Sequence, residues 1–461
     1  MREKINLNGV KRVHFIGIGG ISMSGLAELL QRDGFHVSGS DDTETEITAH
    51  LREIGIRIAI PNSAENITSD MQLVIFTAAV KPDNPEYQAA QELGIELIER
   101  AVFIGRILTG YEPICVAGSH GKTTTTSMIS EILLKAGLDP TISIGGHMMG
   151  VGGVNYRVGS SKHFVLEACE YSNSFHHWRP QIGVILNIDA DHLDFFGSME
   201  NLILAFVKFA SNIRPEGALI IREGIQGYEQ ITNACSCEVI TVGDCGRFAA
   251  KKVTYREGKP SFDILDNGEK IARVSLPLLG EYNMLNALSA FAVGVLLKIP
   301  AVVIADALNG VSGTKRRFEH KGVYNGVQIV DDYAHHPTEI LACLRAARQY
   351  ARGSVFCLFQ PHTYTRTRNL LDEFSQAFTD ADYVVLLPIY AAREPFDPLI
   401  SSEILAERVK KNGNEVKYVD NFHEACNYLR EQLKQGDLLI TMGAGDVYKV
   451  GDKLLSEKLS T

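Results

Sequence analysis

The densest concentration of chemically capable residues is Val116-Ala-Gly-Ser-His-Gly-Lys-Thr-Thr-Thr-Thr126, where an apolar run enters a glycine loop and a helical pattern starts at Lys122-Thr123. Glycines let backbone N–H groups approach phosphate oxygens, the helix N-terminus adds positive potential, Lys122 neutralises charge, and the Thr123 hydroxyl can bind Mg²⁺. Gly118, Ser119, His120, Gly121, Lys122, Thr123 and Thr124 therefore form a candidate phosphate cradle, with the lysine expected in a surface loop. The loop is shorter than the common G-x-x-x-x-G-K-S/T pattern, because Val116 stands five before Gly121, and a purely structural helix start is the alternative.

A second glycine loop, Gly17-Ile-Gly-Gly-Ile-Ser-Met-Ser-Gly25, resembles a dinucleotide fingerprint with Ser22 where its third glycine should stand. Asp41, at the end of the next strand, occupies the place of an acidic residue that meets a ribose hydroxyl, so Gly19, Gly20 and Asp41 are candidates for a nucleoside diphosphate. The alternative is a glycine turn that serves packing alone. Glu167 and His192 also fall at strand ends, where a carboxylate and an imidazole could hold a divalent ion or merely cap the sheet with hydrogen bonds. Further on, adjacent Arg316 and Arg317 suit phosphate, and Asp331-Asp-Tyr-Ala-His-His-Pro337 ends another strand. Gln360-Pro-His-Thr-Tyr-Thr-Arg-Thr-Arg368 places Arg366 and Arg368 where a guanidinium fork could hold a carboxylate, although a solvated basic loop would look the same. Asn283 and Asn286, three apart on one helix face, could read an adenine edge, with helix capping the competing role for Asn283.

These side chains need elements to hold them. Val13–Ile16, His36–Ser40, Leu73–Thr77, Ile114–Ala117, His163–Glu167, Ile182–Asn187, Ala218–Arg222, Val327–Asp331, Val355–Phe359, Tyr383–Leu387 and Leu438–Thr441 are apolar runs of strand length. Helical spacing separates several of them, as in Ile21–Leu30, Glu86–Leu93, Thr123–Ala136 and Leu285–Leu297. Such alternation implies an α/β fold with parallel sheets. Turn-rich breaks at Thr109–Pro113 and Ser312–Lys315 divide 461 residues into three stretches, 1–109, 110–313 and 314–461. With 45 Lys+Arg against 55 Asp+Glu, the net charge of −10 argues against nucleic acid or anionic lipid as a partner. Lys298 and Pro300 interrupt the most apolar stretch before membrane-spanning length, so no membrane insertion is expected. No apolar signal segment precedes the first strand and the eight cysteines show no staple pattern, so a cytoplasmic protein with reduced, mostly buried thiols is expected, as monomer or homodimer.

Taken in order, the two glycine loops, Glu167 with His192, Asn283 with Asn286, Arg316-Arg317, Asp-Asp-Tyr-Ala-His-His-Pro and Gln-Pro-His-Thr-Tyr-Thr-Arg-Thr-Arg resemble the Mur ligase family over nearly the whole chain, and the last two segments resemble its alanine-adding branch. The resemblance implies an N-terminal Rossmann-like domain for a UDP group (1–109), a central P-loop ATPase-like domain with a parallel or mixed sheet (110–313) and a C-terminal Rossmann-like domain that binds the amino acid and closes on ATP (314–461). It implies a ligase that uses ATP and Mg²⁺ to join L-alanine to the lactyl carboxylate of UDP-N-acetylmuramate through an acyl phosphate, in peptidoglycan precursor synthesis. Carried over by position, Lys122 and Thr123 hold ATP and its Mg²⁺, Glu167 and His192 ligate metal, and Asn286, Arg317 and Asp332 contact the nucleotide. His335 and Arg366 serve the amino-acid and muramoyl end, while Gly19, Gly20 and Asp41 go with UDP. Thr363 stands where many members have Arg, and Cys169, Tyr171 and Asn173 replace residues often acidic. Lys208 lies near the place of a carbamylated lysine in some members, a role not expected here. The rivals are a relative that adds a preformed peptide, which the Gln360–Arg368 segment disfavours, a nicotinamide-dependent oxidoreductase, which leaves the Gly118–Thr123 loop unexplained, and a nucleotide-binding switch.

Overall fold

The computed structural model describes residues 2, 4–392 and 394–457. The chain forms two compact units, Met1–Ala249 with Ser289–Ala307, and Ala250–Leu288 with Leu308–Thr461. The sequence breaks fall between sheets instead of between these units: one sheet lies before residue 110, and the last begins at Glu319.

In the first unit, β1 (Arg12–Ile16), β2 (His36–Ser40), β3 (Arg57–Ala59), β4 (Leu73–Phe76) and β5 (Glu96–Glu99) form a parallel sheet in the order β3-β2-β1-β4-β5. Alternation along β1 sends Val13 and Phe15 into a core with Leu26, Leu29 and Leu30 of the helix Ile21–Asp33, while Ile16 packs with Val74 and Ala90 on the other side. The order reverses at β1, so the glycine loop that follows it opens into the crevice outside the strand ends.

The same unit holds β6 (Glu112–Ala117), β7 (Thr141–Met148), β8 (Val154–Arg157), β9 (His163–Glu167), β10 (Ile182–Ile185), β11 (Ala218–Arg222) and β12 (Glu238–Val242), in the order β8-β7-β9-β6-β10-β11-β12. Here β6 is the switch point, with β9 on one side and β10 on the other, both parallel to it. Three carboxyl ends therefore converge, those of β6 before Gly118, β9 at Glu167 and β10 before Asn187.

β13 (Phe248–Arg256) pairs with β12 through Phe248 and Val242 and carries the chain into the second unit, where β14 (Lys259–Asp266) and β15 (Glu269–Ser275) form an antiparallel hairpin. Its main sheet contains β16 (Glu319–Tyr324), β17 (Val327–Asp332), β18 (Val355–Phe359), β19 (Tyr383–Leu386), β20 (Glu415–Tyr418) and β21 (Leu438–Met442), ordered β16-β17-β21-β18-β19-β20. All neighbours are parallel except β16 with β17. The β7–β8 and β13–β15 segments were not legible as strands: β8, β13 and β15 are largely exposed or half-exposed, and the buried Ile142 and Ile144 of β7 and Phe262 and Ile264 of β14 alternate with polar residues instead of forming an apolar run.

Among the described residues no helix is long and apolar enough to cross a membrane. The eight cysteines are free; Cys115, Cys343, Cys357 and Cys426 are buried, but Cys169 and Cys245 are exposed, so burial is less general than expected.

Gly25 shows how closely the first glycine segment is packed. It is buried in the helix Ile21–Asp33, and a β-carbon there would lie 2.0 Å from Cγ of Tyr156 in β8. Gly25→Ala is expected to destabilise the protein by at least ~1–3 kcal/mol through overpacking. An unchanged urea midpoint for this variant would show that the Tyr156 ring moves aside at no cost.

Candidate active site

The phosphate loop is held flat against the end of β10. Gly118 has φ +140°, and a β-carbon on it would meet Cβ of Leu186 at 3.1 Å and the Asn187 backbone at 3.2 Å. Ser119 N–H donates to Asn187 O at 3.2 Å, His120 N–H donates to Asn187 Oδ1 at 2.8 Å, and Asn187 Nδ2 donates back to His120 O at 3.0 Å. His120 Nε2 sits 3.1 Å from Asp189 Oδ2, and Asp189 N–H donates to Ser119 Oγ at 2.9 Å. Ser119 and His120 thus spend their backbone donors on the loop's own scaffold. The N–H groups that begin the helix Lys122–Lys135, those of Lys122, Thr123 and Thr124, follow Gly121 at φ 84° and precede the first intrahelical bond, Thr125 N–H to Gly121 O at 2.9 Å. These are the donors a helix start offers an anion.

Lys122 corrects the expectation of a surface-loop lysine. Its side chain is 16% exposed, and Nζ donates to Gly118 O at 2.5 Å, Ser119 O at 3.2 Å and Glu170 at 3.0 and 3.2 Å. Burial disfavours its charge, but Glu170, with Cys169 and Glu167 adding to it, outweighs that penalty and raises the pKa, so the ammonium is retained. Glu170 is 1% exposed. Removing one member of such a pair leaves the other buried and uncompensated.

Glu167 accepts from Gly145 N–H at 2.7 Å through Oε1. His192 has φ 55°, a strained conformation for a residue with a side chain, and its ring lies 5.0 Å from that of Tyr171. The segment after Glu167 is thereby explained: Ser172 and Asn173 turn at φ 56° and 54°, which brings Tyr171 against both His192 and Phe195. Thr123, Glu167 and His192 supply the hydroxyl, carboxylate and imidazole that a divalent ion bound with substrate phosphates would use. Among the described residues no three His, Cys, Asp or Glu side chains form a complete metal cage, and Mg²⁺ usually shares its shell with water and phosphate. Lys208 is exposed in the last turn of its helix, Met199–Ser211.

At the first loop, Asp41 Oδ2 accepts from Gly19 N–H at 2.8 Å and Oδ1 from Asp42 N–H at 2.9 Å. Asp41 therefore shapes the turn that Gly20 continues as N-cap of the next helix. A β-carbon on Gly19 would lie 2.8 Å from that carboxylate.

In the second unit Arg316 is not available for phosphate as expected. Its guanidinium bonds Asp331 Oδ2 at 3.0 Å, Gly443 O at 2.6 Å and Gly445 O at 3.0 Å, and stacks on Tyr333 and Tyr448. Arg317 lies 3.7 Å from Glu339 and over the Tyr333 ring. Asp332 accepts from Phe318 N–H at 2.7 Å and Ala334 N–H at 2.8 Å, tying the arginine segment to the histidine segment. Burial pushes its carboxyl up to about 6 although Arg317 and those two donors oppose the shift.

Asn283 is not a cap: its Nδ2 donates to Leu279 O at 2.8 Å, and Asn286 Nδ2 donates to Asn283 Oδ1 at 3.3 Å, so one amide orients the next. His335 Nδ1 donates to Tyr333 O at 2.9 Å. The His335 ring is 5.8 Å from that of His362, whose Nδ1 is 3.1 Å from Arg366 Nη1. The structure thus brings His335 and Arg366 together through His362, which in turn stacks on Tyr390. Thr363, at φ 67°, makes the corner, and its side chain accepts from Arg366 N–H at 3.4 Å.

Sequence reasoning missed Glu170, His362, Glu339 and Tyr390. His362 carried a signal, being three residues past the end of β18, whereas Glu170 and Tyr390 are functional candidates only through contacts.

Two outcomes follow from these contacts. Lys122→Ala is expected to cost roughly 3–5 kcal/mol of stability because it strands Glu170, and an unfolding midpoint equal to wild type would contradict a buried pair. Asp332, with its folded-state pKa raised to about 6, binds more protons folded than unfolded between pH ~4 and ~6. Stability should therefore fall as pH rises through that window, and Asp332→Asn should flatten the dependence in urea titrations; an identical slope in the variant would assign the titration elsewhere.

Comparison with known proteins covers all three stretches. The Mur ligase family, catalytic domain, matches residues 12–112, the Mur ligase middle domain 116–294 and the Mur ligase, glutamate ligase domain 316–445. The chain is 48% identical over 457 residues to the UDP-N-acetylmuramate–L-alanine ligase of Lachnospira eligens, covering 98% of this chain and 99% of that one. It is 46% identical over 450 residues to the ligase of the same name from Clostridium novyi, with 97% and 98% covered. The crystal structure of the UDP-N-acetylmuramate–alanine ligase of Thermotoga maritima superposes with a TM-score of 0.81 at 28% identity, over 97% of this chain and 99% of that chain. On these matches, with a glycine loop set at a sheet's switch point, the chain belongs to the Mur ligase family.

Proposed function

We propose that the protein is an ATP-dependent amide ligase that joins L-alanine to the lactyl carboxylate of UDP-N-acetylmuramate, releasing ADP and phosphate, in peptidoglycan precursor synthesis. The observation that carries the reaction class is the convergence of Lys122, Thr123 and Glu167 at neighbouring carboxyl ends in one sheet; the alanine end rests on the whole-chain likeness to alanine-adding ligases. The nicotinamide reading accounts only for the first glycine loop. The reaction is assigned to the cytoplasm as part of the same reading.

A carboxylate attacking a phosphoryl group brings two anions together, so the barrier falls mainly through fixed positive charge and orientation. Lys122 and the N–H groups of Thr123 and Thr124 neutralise and orient the triphosphate. Thr123, Glu167 and His192 hold Mg²⁺, which supplies charge neutralisation when bound. Asn286, oriented by Asn283, is assigned to the base, and Arg317 and Asp332 to the nucleotide. Gly19, Gly20 and the turn that Asp41 shapes receive the UDP group. His335, whose Nδ1 faces Tyr333 O at 2.9 Å and Glu339 Oε2 at 3.4 Å, is assigned to the amino-acid end, where an imidazole can relay a proton from the alanine ammonium. Arg366 holds the carboxylate, and no covalent protein nucleophile is needed.

The test is phosphate release from ATP and Mg²⁺ with and without UDP-N-acetylmuramate and each small amino acid, with mass detection of the product. Release that requires both substrates and adds one alanyl residue is expected; release independent of UDP-N-acetylmuramate would refute the reading. His335→Ala should raise the KM for L-alanine about tenfold or more and lower kcat about 10²-fold while ATP affinity stays put. A change confined to ATP affinity would remove His335 from the amino-acid end.

A further inference from the structure

A buried carboxylate beside a phosphate cradle repels the anion that the cradle would hold. Glu170 is 1% exposed, and its side-chain hydrogen bonds among the described residues run to Lys122 Nζ at 3.0 and 3.2 Å. An ammonium has three donors. Those of Lys122 are taken up by Gly118 O, Ser119 O and Glu170, so the lysine cannot reach a phosphate without giving one up. The carbonyls belong to the loop itself and keep the ammonium folded back over it, whereas Glu170 comes from the turn after β9 and supplies the only full charge among the three acceptors.

The wider balance has the same sign. Glu167 closes β9 three residues earlier, and Asp189 and Asp191 follow β10 on the other side of the loop. Asp189 lies 3.1 Å from the His120 imidazole, and Lys122 is paired with Glu170. A polyphosphate entering alone therefore meets a loop whose principal cation is already neutralised and whose surroundings are acidic. A polyphosphate entering with a divalent cation brings positive charge that takes over the pairing of these carboxylates while Lys122 turns to the phosphates.

Resting on the ATP reading above, we propose that Glu170 is a positioning residue that acts through Lys122 as a competing counter-charge: it withholds the lysine from metal-free nucleotide and so makes the loop select ATP that carries its divalent ion. The step involves ion-pair exchange only, with no covalent change.

The experiment titrates ATP into the full chain by calorimetry, once in EDTA and once with excess Mg²⁺, for the unaltered protein, Glu170→Gln and Glu170→Asp. Glu170→Gln retains the size and a hydrogen-bonding oxygen while deleting the charge. The expected result is a gain of about tenfold or more in affinity for ATP in EDTA, with a smaller change in Mg²⁺, so that the ratio of the two affinities collapses. Glu170→Asp keeps the charge and should keep most of the discrimination. A role confined to stability can only weaken binding, so an unchanged or weaker affinity of Glu170→Gln for metal-free ATP overturns the proposal. Should Glu170→Gln not fold, the unaltered and Glu170→Asp proteins decide: Asp, set back by one methylene, should bind metal-free ATP more tightly than Glu, and equal affinities overturn the proposal. Binding of Mg²⁺–ATP by the unaltered protein with no effect of either variant refutes this role for Glu170 alone; no ATP binding in either medium refutes the ATP reading itself, and this proposal with it.

Discussion

The first unit depends on how a parallel sheet ends. At the carboxyl edge, strand N–H and C=O groups run out of partners, and any loop that follows must satisfy its backbone some other way. After β6 the loop is too short to satisfy itself, so Asn187 from the end of β10 takes the backbone N–H groups of both Ser119 and His120 and returns a donor to His120 O. This clamp leaves the donors at the helix start facing outward and fixes where Lys122 can reach. Its geometry requires Gly118, because a β-carbon would run into the very residue that does the clamping.

An equivalent restraint organises the second unit. Arg316 gathers β17, through Asp331, and the turn after β21, through Gly443 and Gly445, and Asp331 is itself held by Thr441 at 2.7 Å. With one arginine consumed in joining strand ends, the next, Arg317, is delivered to the site edge beside Tyr333 and Glu339. Adjacent residues of identical type thus divide into one tied between strand ends and one set against Tyr333 and Glu339, a separation that depends on which way the chain turns at Arg316, where φ is 60°. Asp332 repeats the theme by using both carboxylate oxygens on backbone donors that set Phe318 and Ala334.

Much of this was legible in the residues. His36–Ser40, His163–Glu167, Ala218–Arg222 and Val355–Phe359 are strands with the bounds their apolar runs imply, and the helix after the phosphate loop begins at Lys122. The site residues sit at strand ends for the same reason, since a buried parallel strand is readable as a short apolar run and its end is where polar residues resume. What was not legible had no periodic signature: the β13–β15 segment, whose exposed lysines and arginines conceal its strands, and the role of Asn283, which points its amide at a carbonyl before its own helix.

The order of segments therefore determined the α/β class and where the glycine loops and candidate site residues fall along it, because those follow from local backbone requirements and from residue type. Charge state and partnership were decided only in three dimensions. Lys122 looks solvated in sequence and is buried against Glu170, forty-eight positions away; Arg316 looks like a phosphate ligand and is a strut; His335 and Arg366 become neighbours through His362. The physical reason is that desolvation and Coulomb energies depend on what a neighbouring strand end brings alongside, and in a doubly wound sheet those neighbours come from distant parts of the chain.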